Sequence, residues 1–382
     1  TIRRDGFSGF GKDNKFGIFP SASAAWVISQ EDFLSQVSWL PSLKMRASYG
    51  TSGNRTIGRY QTLAEVDGAF VYVDSNGSPL YGQEIISLAS PNLKWETTTG
   101  INIGIDFALF KGRIMGNIDY YKNDTKDVLY EVNLPQLAGF SKIPINLGKL
   151  KNQGIDLSIS SVNYEKNDIT WTSTFNFSRN RDELVELLGF DNDGDGVEDD
   201  IVSSGLFIGE PIDAVYDYQI TGELFQIGDD IPSGFDVGAY KLQDLDGVDG
   251  FTPDDRTIIG YTSPSYRFSV QNKLQYKNWS LSLFINSVQG GKNRYLGEDV
   301  LTSWNDISSE NVFDTNVPAG IDYWTPENPN ARYQKLRINV SDGLIGTRYA
   351  SRSFVRLQDV SLSYNFDPEL LSKFNITRLK VF

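Results

Sequence analysis

Residues 101–120 have the sequence INIGIDFALFKGRIMGNIDY, and this stretch decides the fold class. From Ile101 to Leu109, and again from Ile114 to Tyr120, apolar residues occupy every second position, with mostly polar or small residues between them. Successive side chains of a β-strand point to opposite faces, so each half predicts a strand with one apolar and one mostly polar face. The short turn Lys111-Gly112 joins the halves, and the stretch therefore predicts a long β-hairpin.

The same alternation recurs along the chain and predicts an all-β fold. Two-residue or slightly longer polar turns, such as Lys277-Asn278, separate several of the alternating segments. Residues 1–4 are expected to be the end of one further strand. We predict ten complete strands, at 16–28, 42–50, 93–109, 114–122, 153–163, 169–180, 265–276, 279–288, 353–366 and 375–382.

The connections between these strands alternate in length. The brief ones are 110–113, 164–168, 277–278 and 367–374, and 29–41 is moderate. The long ones are 51–92, 123–152, 181–264 and 289–352. Outer-membrane barrels have short periplasmic turns and long extracellular loops, and their strands exceed the usual length in globular sheets. The pattern predicts part of a large antiparallel transmembrane β-barrel. The alternative is a soluble β-sandwich or solenoid with insertions, which predicts shorter strands and unsorted loops.

Composition excludes several functions. The 382 residues include no Cys and no His, which excludes disulfides, thiol chemistry, Ser-His-Asp catalysis and His-ligated zinc. The formal net charge of -14 argues against nucleic-acid binding. The sequence has no apolar run long enough for a transmembrane helix. Carboxylate pairs are abundant, but nothing else indicates glycoside hydrolysis. We therefore predict that the protein is not an enzyme.

The most distinctive local motif is the acidic stretch 191–200, DNDGDGVEDD. Carboxylates at alternating positions with interspersed glycines can surround Ca²⁺ with oxygen ligands. Gly196 matches the invariant glycine of an EF-hand loop, but Val202 stands where the bidentate Glu is required. A calcium loop of another kind and a solvated acidic loop both remain open. The candidate ligands are Asp191, Asp193, Asp195 and Asp199.

Seven blocks of the sequence resemble the SusC/RagA-like family of TonB-dependent outer-membrane transporters. Two of them are LKMRASYGTSGN, residues 43–54, and YWTPENPNARY, residues 323–333. All seven occur in the family's order and span nearly the whole chain. The other five are residues 2–26, 90–129, 146–159, 255–291 and 352–366.

The resemblance implies a barrel of about 22 strands around an N-terminal plug, of which this chain holds roughly strands 11 to 21. Residues 1–382 are expected to be one C-terminal barrel portion, a fragment without the plug and the TonB-contact segment. It also implies TonB-dependent import of glycan or peptide nutrients across the outer membrane of a Bacteroidetes-type bacterium. The expected partners are a SusD-like surface lipoprotein, TonB through the N-terminal region, outer-membrane lipid and the cargo. Two alternatives are a passive porin-like or structural barrel and a soluble calcium-stabilised β adhesin.

A second acidic cluster supplies weaker calcium candidates, Asp244, Asp246 and Asp249, near Asp254 and Asp255. Members of the family often have a DxNGDG-like sequence here, whereas this chain has DLDGVDG, which shifts the spacing by one residue. A structural turn is the favoured interpretation of this cluster.

Other side chains are assigned to surfaces rather than to sites. The polar strand residues Asn102, Asp106, Asn117 and Thr172 are expected to face the lumen. The aromatic strand residues Trp171, Trp279 and Tyr364 are expected to face lipid or its interface. Aromatic residues in the long loops either contact cargo or pack the loops together. They include Tyr72, Tyr81, Phe225, Phe235, Tyr240, Trp304, Phe313, Tyr323 and Trp324.

Overall fold

A computed structural model describes residues 1–134, 136–192, 194–248, 250–293, 322–335, 346, 348–373 and 375–382. Eleven strands form one continuous antiparallel sheet in which the neighbours follow chain order. With all strands numbered along the chain, they are β1 (Ile2–Gly6), β2 (Phe16–Val27), β3 (Ser42–Asn54), β6 (Glu96–Leu109), β7 (Ile114–Asn133), β8 (Lys142–Lys166), β9 (Ile169–Glu186), β14 (Tyr266–Tyr276), β15 (Trp279–Gln289), β18 (Phe354–Asn365) and β19 (Lys380–Val381).

In the described parts of the connections, eight shorter strands form four two-stranded sheets. These pairs are β4 (Glu65–Val73) with β5 (Pro79–Ser87), β10 (Ala214–Tyr218) with β13 (Arg256–Tyr261), β11 (Ile220–Leu224) with β12 (Tyr240–Leu242), and β16 (Lys292–Asn293) with β17 (Ala350–Ser351).

Within the described residues, two short α-helices, α1 (Asp32–Ser35) and α2 (Pro368–Ser372), lie in the connections that follow β2 and β18. Among the described residues, no helix has both the length and the apolar character needed to cross a membrane.

All predicted strands are confirmed, including the eleventh at the start of the chain. Four predicted boundaries are wrong by five or more residues: the end of β7, the start of β8, the end of β9 and the start of β19. The connection predicted at 123–152 is mostly strand, because β7 and β8 have 20 and 25 residues and pair from Ile114 with Ser161 to Asn133 with Lys142. Alternation marks only the part of a strand with lipid on one side, so an extension in water carries no such signal. The strand predicted at 375–382 pairs only at Lys380 and Val381.

The pairing register places residues of like polarity in rows across the sheet. One row crosses eight adjacent strands from β3 to β18 and has no polar side chain. It consists of Leu43, Phe107, Gly116, Ile159, Phe175, Val270, Ile285 and Leu357. The adjacent row, on the opposite face, is entirely polar. It consists of Lys44, Asp106, Asn117, Ser158, Asn176, Ser269, Asn286 and Arg356. The sheet therefore has an apolar face and a polar face.

Large apolar side chains on the apolar face are not covered by protein. Ile103, Ile118 and Leu357 keep 46%, 43% and 59% of their surface exposed. Two packed sheets would bury these side chains, so the single sheet contradicts the sandwich alternative and the soluble adhesin built on it. An exposed apolar face on a single sheet of long strands is typical of the lipid-facing wall of a transmembrane barrel.

Aromatic residues form a band on the apolar face beside the short turns. Trp171 pairs with Tyr164 across β8–β9, and Trp279 pairs with Tyr276 and Tyr364 on its two neighbouring strands. The rings of Trp279 and Tyr364 have centroids 4.8 Å apart. Tyr and Trp are enriched where a membrane meets water, so this band marks one membrane interface, as the sequence predicted for Trp171, Trp279 and Tyr364.

The long connections all leave the sheet at the end opposite this aromatic band. The sheet end that carries the aromatic band is closed by short turns at 110–113, 167–168 and 277–278. The opposite end of the sheet carries the long connections 55–95, 187–265 and 290–353. Part of the long connections folds into a unit with its own core, formed by Leu224, Tyr240, Trp324 and Ala331.

Candidate functional site

The polar face of the sheet carries a charged cluster that joins three strands. Arg46 on β3 donates from Nε to Asp106 Oδ2 at 2.8 Å, and from Nη2 to Asp106 Oδ1 at 2.9 Å. The same Nη2 donates to Asp119 Oδ2 at 3.0 Å, which also accepts from Asn117 Nδ2 at 2.9 Å. Charge-assisted, bidentate pairing of this kind fixes the orientation of the guanidinium.

A glycine makes this cluster possible. Gly104 on β6 lies between Arg46 and Asp119 in the pairing register. A Cβ at Gly104 would lie 2.4 Å from Asp119 Oδ1 and 2.7 Å from Arg46 Nη2, closer than atoms can approach. The missing side chain therefore lets Arg46 reach across β6 to β7.

Next to the cluster, the polar face presents amides and hydroxyls. Ser158 Oγ donates to Asn176 Oδ1 at 2.8 Å, and Asn176 Nδ2 donates to Ser269 Oγ at 3.3 Å. These residues line a shallow groove of about 280 Å³ together with Asn117 and Asn286. The register also places Asn102, Asp106 and Thr172 on this face, as predicted for residues lining a lumen. Such a surface offers a polar solute both donors and acceptors.

The acidic stretch 191–200 is folded around its own backbone. Asp191 accepts from the backbone N–H groups of Gly194 at 2.7 Å and Gly196 at 3.0 Å. Asp195 accepts from Val197 N at 2.7 Å, and Asp199 accepts from Asn192 N at 2.8 Å. Among the described residues here, Asp191, Asp195 and Asp199 do not form a group with all three carboxylates within 4.8 Å of one another. Asp193 lies outside the described residues.

The second acidic cluster is the one that the structure brings together. Carboxylate oxygens of Asp244, Asp246 and Asp255 all lie within 4.8 Å of one another. Asp255 is completely buried, whereas the other two are exposed. Asp249, the third predicted ligand, lies outside the described residues. Three converging carboxylates suit a hard cation such as Ca²⁺, and calcium binding stays a prediction at both acidic segments.

Asp255 also stabilises the turn at 244–255 through hydrogen bonds to its backbone, a role that the sequence indicates only in part. It accepts from the backbone N–H groups of Leu245 at 2.7 Å and Thr252 at 2.8 Å. Thr252 Oγ1 in turn accepts from Asp254 N at 3.1 Å, which completes a capping box. The signal in the sequence is the pattern T-P-D-D at 252–255. Hydrogen bonds from Thr252 and Leu245 keep the pKa of the Asp255 carboxyl below its usual value.

Most described aromatic residues of the long loops pack against other loop residues. Tyr240 and Trp324 are 2% and 5% exposed, and Trp324 Nε1 donates to Gln226 Oε1 at 3.1 Å. Phe225 is also buried and packs against Phe235, with ring centroids 5.4 Å apart and the ring planes tilted by 57°. For these side chains the packing alternative is confirmed. Among the candidates named from the sequence, Tyr81 is the exception, with 75% of its surface exposed, and Tyr323 is half-buried. The side chain of Tyr72, and the whole of Trp304 and Phe313, lie outside the described residues.

A sheet with a lipid-facing apolar side, a polar inner side and long connections at one end is the wall of an outer-membrane β-barrel. The family model described as "TonB dependent receptor-like, beta-barrel" matches residues 1–381. The chain belongs to this family.

Relatives and solved structures agree with this assignment. The TonB-dependent receptor P3 of Formosa agariphila is 34% identical over 100% of this chain and 38% of the relative. The TonB-dependent receptor SusC of Bacteroides thetaiotaomicron is 29% identical over 96% of this chain and 36% of the relative. The chain thus spans less than two-fifths of these relatives. The RagAB peptide transporter has the same fold, with a TM-score of 0.76 and 24% identity over 99% of this chain and 40% of the transporter chain.

Proposed function

We propose that the complete protein imports a nutrient, a glycan or a peptide, across the outer membrane with energy delivered through TonB. The observation that carries this proposal is the single eleven-stranded sheet with opposite apolar and polar faces, in a chain of the TonB-dependent receptor family. The polar face then lines the lumen, where the groove beside Asn117 and Asn176 offers hydrogen bonds to a passing solute. The role is transport rather than catalysis.

The proposed partner is a SusD-like surface lipoprotein that closes the barrel from outside. Two features of the described connections support a docked lid. They form a packed unit around Tyr240 and Trp324 rather than loose loops, and the β7–β8 hairpin is longer than a membrane crossing of about 9–11 residues requires. Affinity purification of the complete receptor from its own membranes tests this proposal. A lipoprotein that copurifies stoichiometrically is the expected result, and a receptor that purifies alone contradicts it.

Uptake measurements distinguish active import from a passive pore. Deletion of the gene should abolish accumulation of one class of labelled oligosaccharide or peptide, and deletion of the host's TonB should have the same effect. A passive porin-like barrel predicts uptake that continues without TonB, because diffusion needs no energy from the inner membrane. Uptake that is unchanged in the TonB deletion therefore contradicts the proposal.

A further inference from the structure

A cavity of about 690 Å³ lies at the end of the sheet from which the long connections leave. It is lined by the connection between β1 and β2, by the segment that follows β3, and by Pro91. We call it the basic cavity because its lining includes four cationic side chains. They are Lys12, Lys15, Arg55 and Arg59. The volume is in the range of sites that bind small molecules.

The described residues supply no counter-charge to the four cations within the cavity. Among the described residues no Asp or Glu lines it, and none of the four cations forms an ion pair there. The most acidic stretch lies outside the cavity, since residues 187–265 contain 18 acidic and two basic residues and none of them lines it. Like charges that two separate segments bring together repel one another, and an anion from outside relieves that repulsion.

The walls of the basic cavity are fixed by packing. Phe10 is 2% exposed and belongs to a small core with Phe19, Leu93 and Trp95. Gly11 closes one side, because a Cβ there would lie 1.9 Å from the carbonyl oxygen of Pro91. Thr62 joins the segment that follows β3 to the connection between β1 and β2, because its Oγ1 donates to the carbonyl oxygen of Gly9 at 3.1 Å. Because these walls are already ordered, ligand binding loses little conformational entropy of the protein.

Two aromatic rings accompany the charges. Phe7 lies under the guanidinium of Arg55, 4.6 Å from its carbon to the ring centroid. Tyr60 keeps 65% of its surface exposed and has a φ of 69°. This left-handed conformation is unfavourable for a tyrosine, and such conformations concentrate at ligand-binding segments. The exposed ring of Tyr60 beside these cations combines a stacking surface with anion recognition.

We propose that the basic cavity binds an acidic saccharide, with the cations on its carboxylate, sulfate or phosphate groups and an aromatic ring against the sugar. Two sources supply this chemistry, a soluble acidic oligosaccharide and the phosphorylated sugar headgroup of an outer-leaflet glycolipid. The soluble source rests on the proposed import function, because such an oligosaccharide would be cargo. The glycolipid source does not depend on it.

The test compares charged and neutral ligands on the complete receptor in phosphatidylcholine nanodiscs. Calorimetry with trigalacturonate and with maltotriose, a neutral sugar of equal length, measures the soluble source. Native mass spectrometry of receptor purified with lipid A measures the other. The variant is Lys12→Gln with Arg59→Gln, two exposed side chains whose loss removes no hydrogen bond or ion pair within the described structure. The matched control is Lys111→Gln with Lys166→Gln, two exposed lysines at the short-turn end.

The double variant should bind its ligand roughly tenfold more weakly than wild type, since each partly exposed cation contributes about half of that free energy. The control variant should bind as wild type does, and added salt should weaken wild-type binding. If the double variant loses trigalacturonate binding, the ligand is the soluble acidic oligosaccharide. If the double variant loses only lipid A retention, the ligand is the glycolipid headgroup. Equal binding of trigalacturonate and maltotriose without lipid A retention, or unchanged binding of both acidic ligands in the double variant, overturns the proposal. Binding that persists in a receptor without TonB-dependent uptake contradicts the proposed function alone.

Discussion

Two neighbouring residues of β7 provide a direct test of which face of the sheet meets lipid. Ile118 lies on the apolar face between Ile105 and Leu157, and Asn117 lies on the polar face between Asp106 and Ser158. Substitution of each by lysine introduces the same charge at almost the same height in the membrane. The two variants therefore place the same side chain at almost the same height on opposite sides of the sheet.

The expected cost follows from the position of Ile118. It lies four residues beyond Ile114, where β7 begins at the short-turn end. At about 3.4 Å per residue and a tilt of about 40°, Ile118 lies about 10 Å above that end. The apolar band of such barrels is about 25 Å tall, so Ile118 is close to its middle, where an outward lysine costs about 2–4 kcal/mol. At position 117 the lysine faces the lumen beside Asp106 and Asp119, and the cost should be about 1 kcal/mol from the lost hydrogen bond.

Equilibrium unfolding of the complete receptor in lipid vesicles measures both costs, with urea as denaturant and tryptophan fluorescence as signal. Ile118→Lys should lower the free energy of unfolding by about 2–4 kcal/mol, clearly more than Asn117→Lys. Equal losses, or a larger loss for Asn117→Lys, would show that the apolar face does not contact lipid. The assignment of the polar face to the lumen would then be wrong.

Three further predictions concern the connections. Trp324→Ala should destabilise the core around Tyr240 by about 3–5 kcal/mol. Hydrogen exchange at 220–242 should become faster, while exchange in the barrel strands stays the same. The exposed control Tyr81→Ala should leave both exchange rates unchanged. Because the pKa of Asp255 is lowered in the folded protein, its ionised carboxylate stabilises the turn above about pH 4, and this stabilisation is lost as the pH falls through the lowered pKa. Hydrogen exchange at 245–255 should therefore become faster in acid. Asp255→Asn should remove this pH dependence. Calcium should slow exchange at 244–255 and chelation reverse it; no response contradicts the calcium prediction there.

The sequence alone determined that the strands of the large sheet exist and which of them are neighbours. Lipid on one side and water on the other impose a period of two on each crossing, so residues such as Ile101 to Leu109 carry the signal within a single strand. Short turns such as Lys277-Asn278 then fix which strands are adjacent, and both features are local along the chain. Where a strand extends beyond the lipid, nothing imposes alternating polarity on it. The outer halves of β7 and β8 were therefore predicted as a connection.

Only the tertiary structure decided which distant residues meet. Arg46 reaches Asp119 because the register places Gly104 between them. Asp255 lies beside Asp244 and Asp246 because its carboxylate accepts from the backbone N–H groups of Leu245 and Asp246. The basic cavity likewise joins the segments around Lys12 and Arg59, which are far apart in sequence. Contacts of this kind depend on register and loop closure, which no local pattern of polarity encodes.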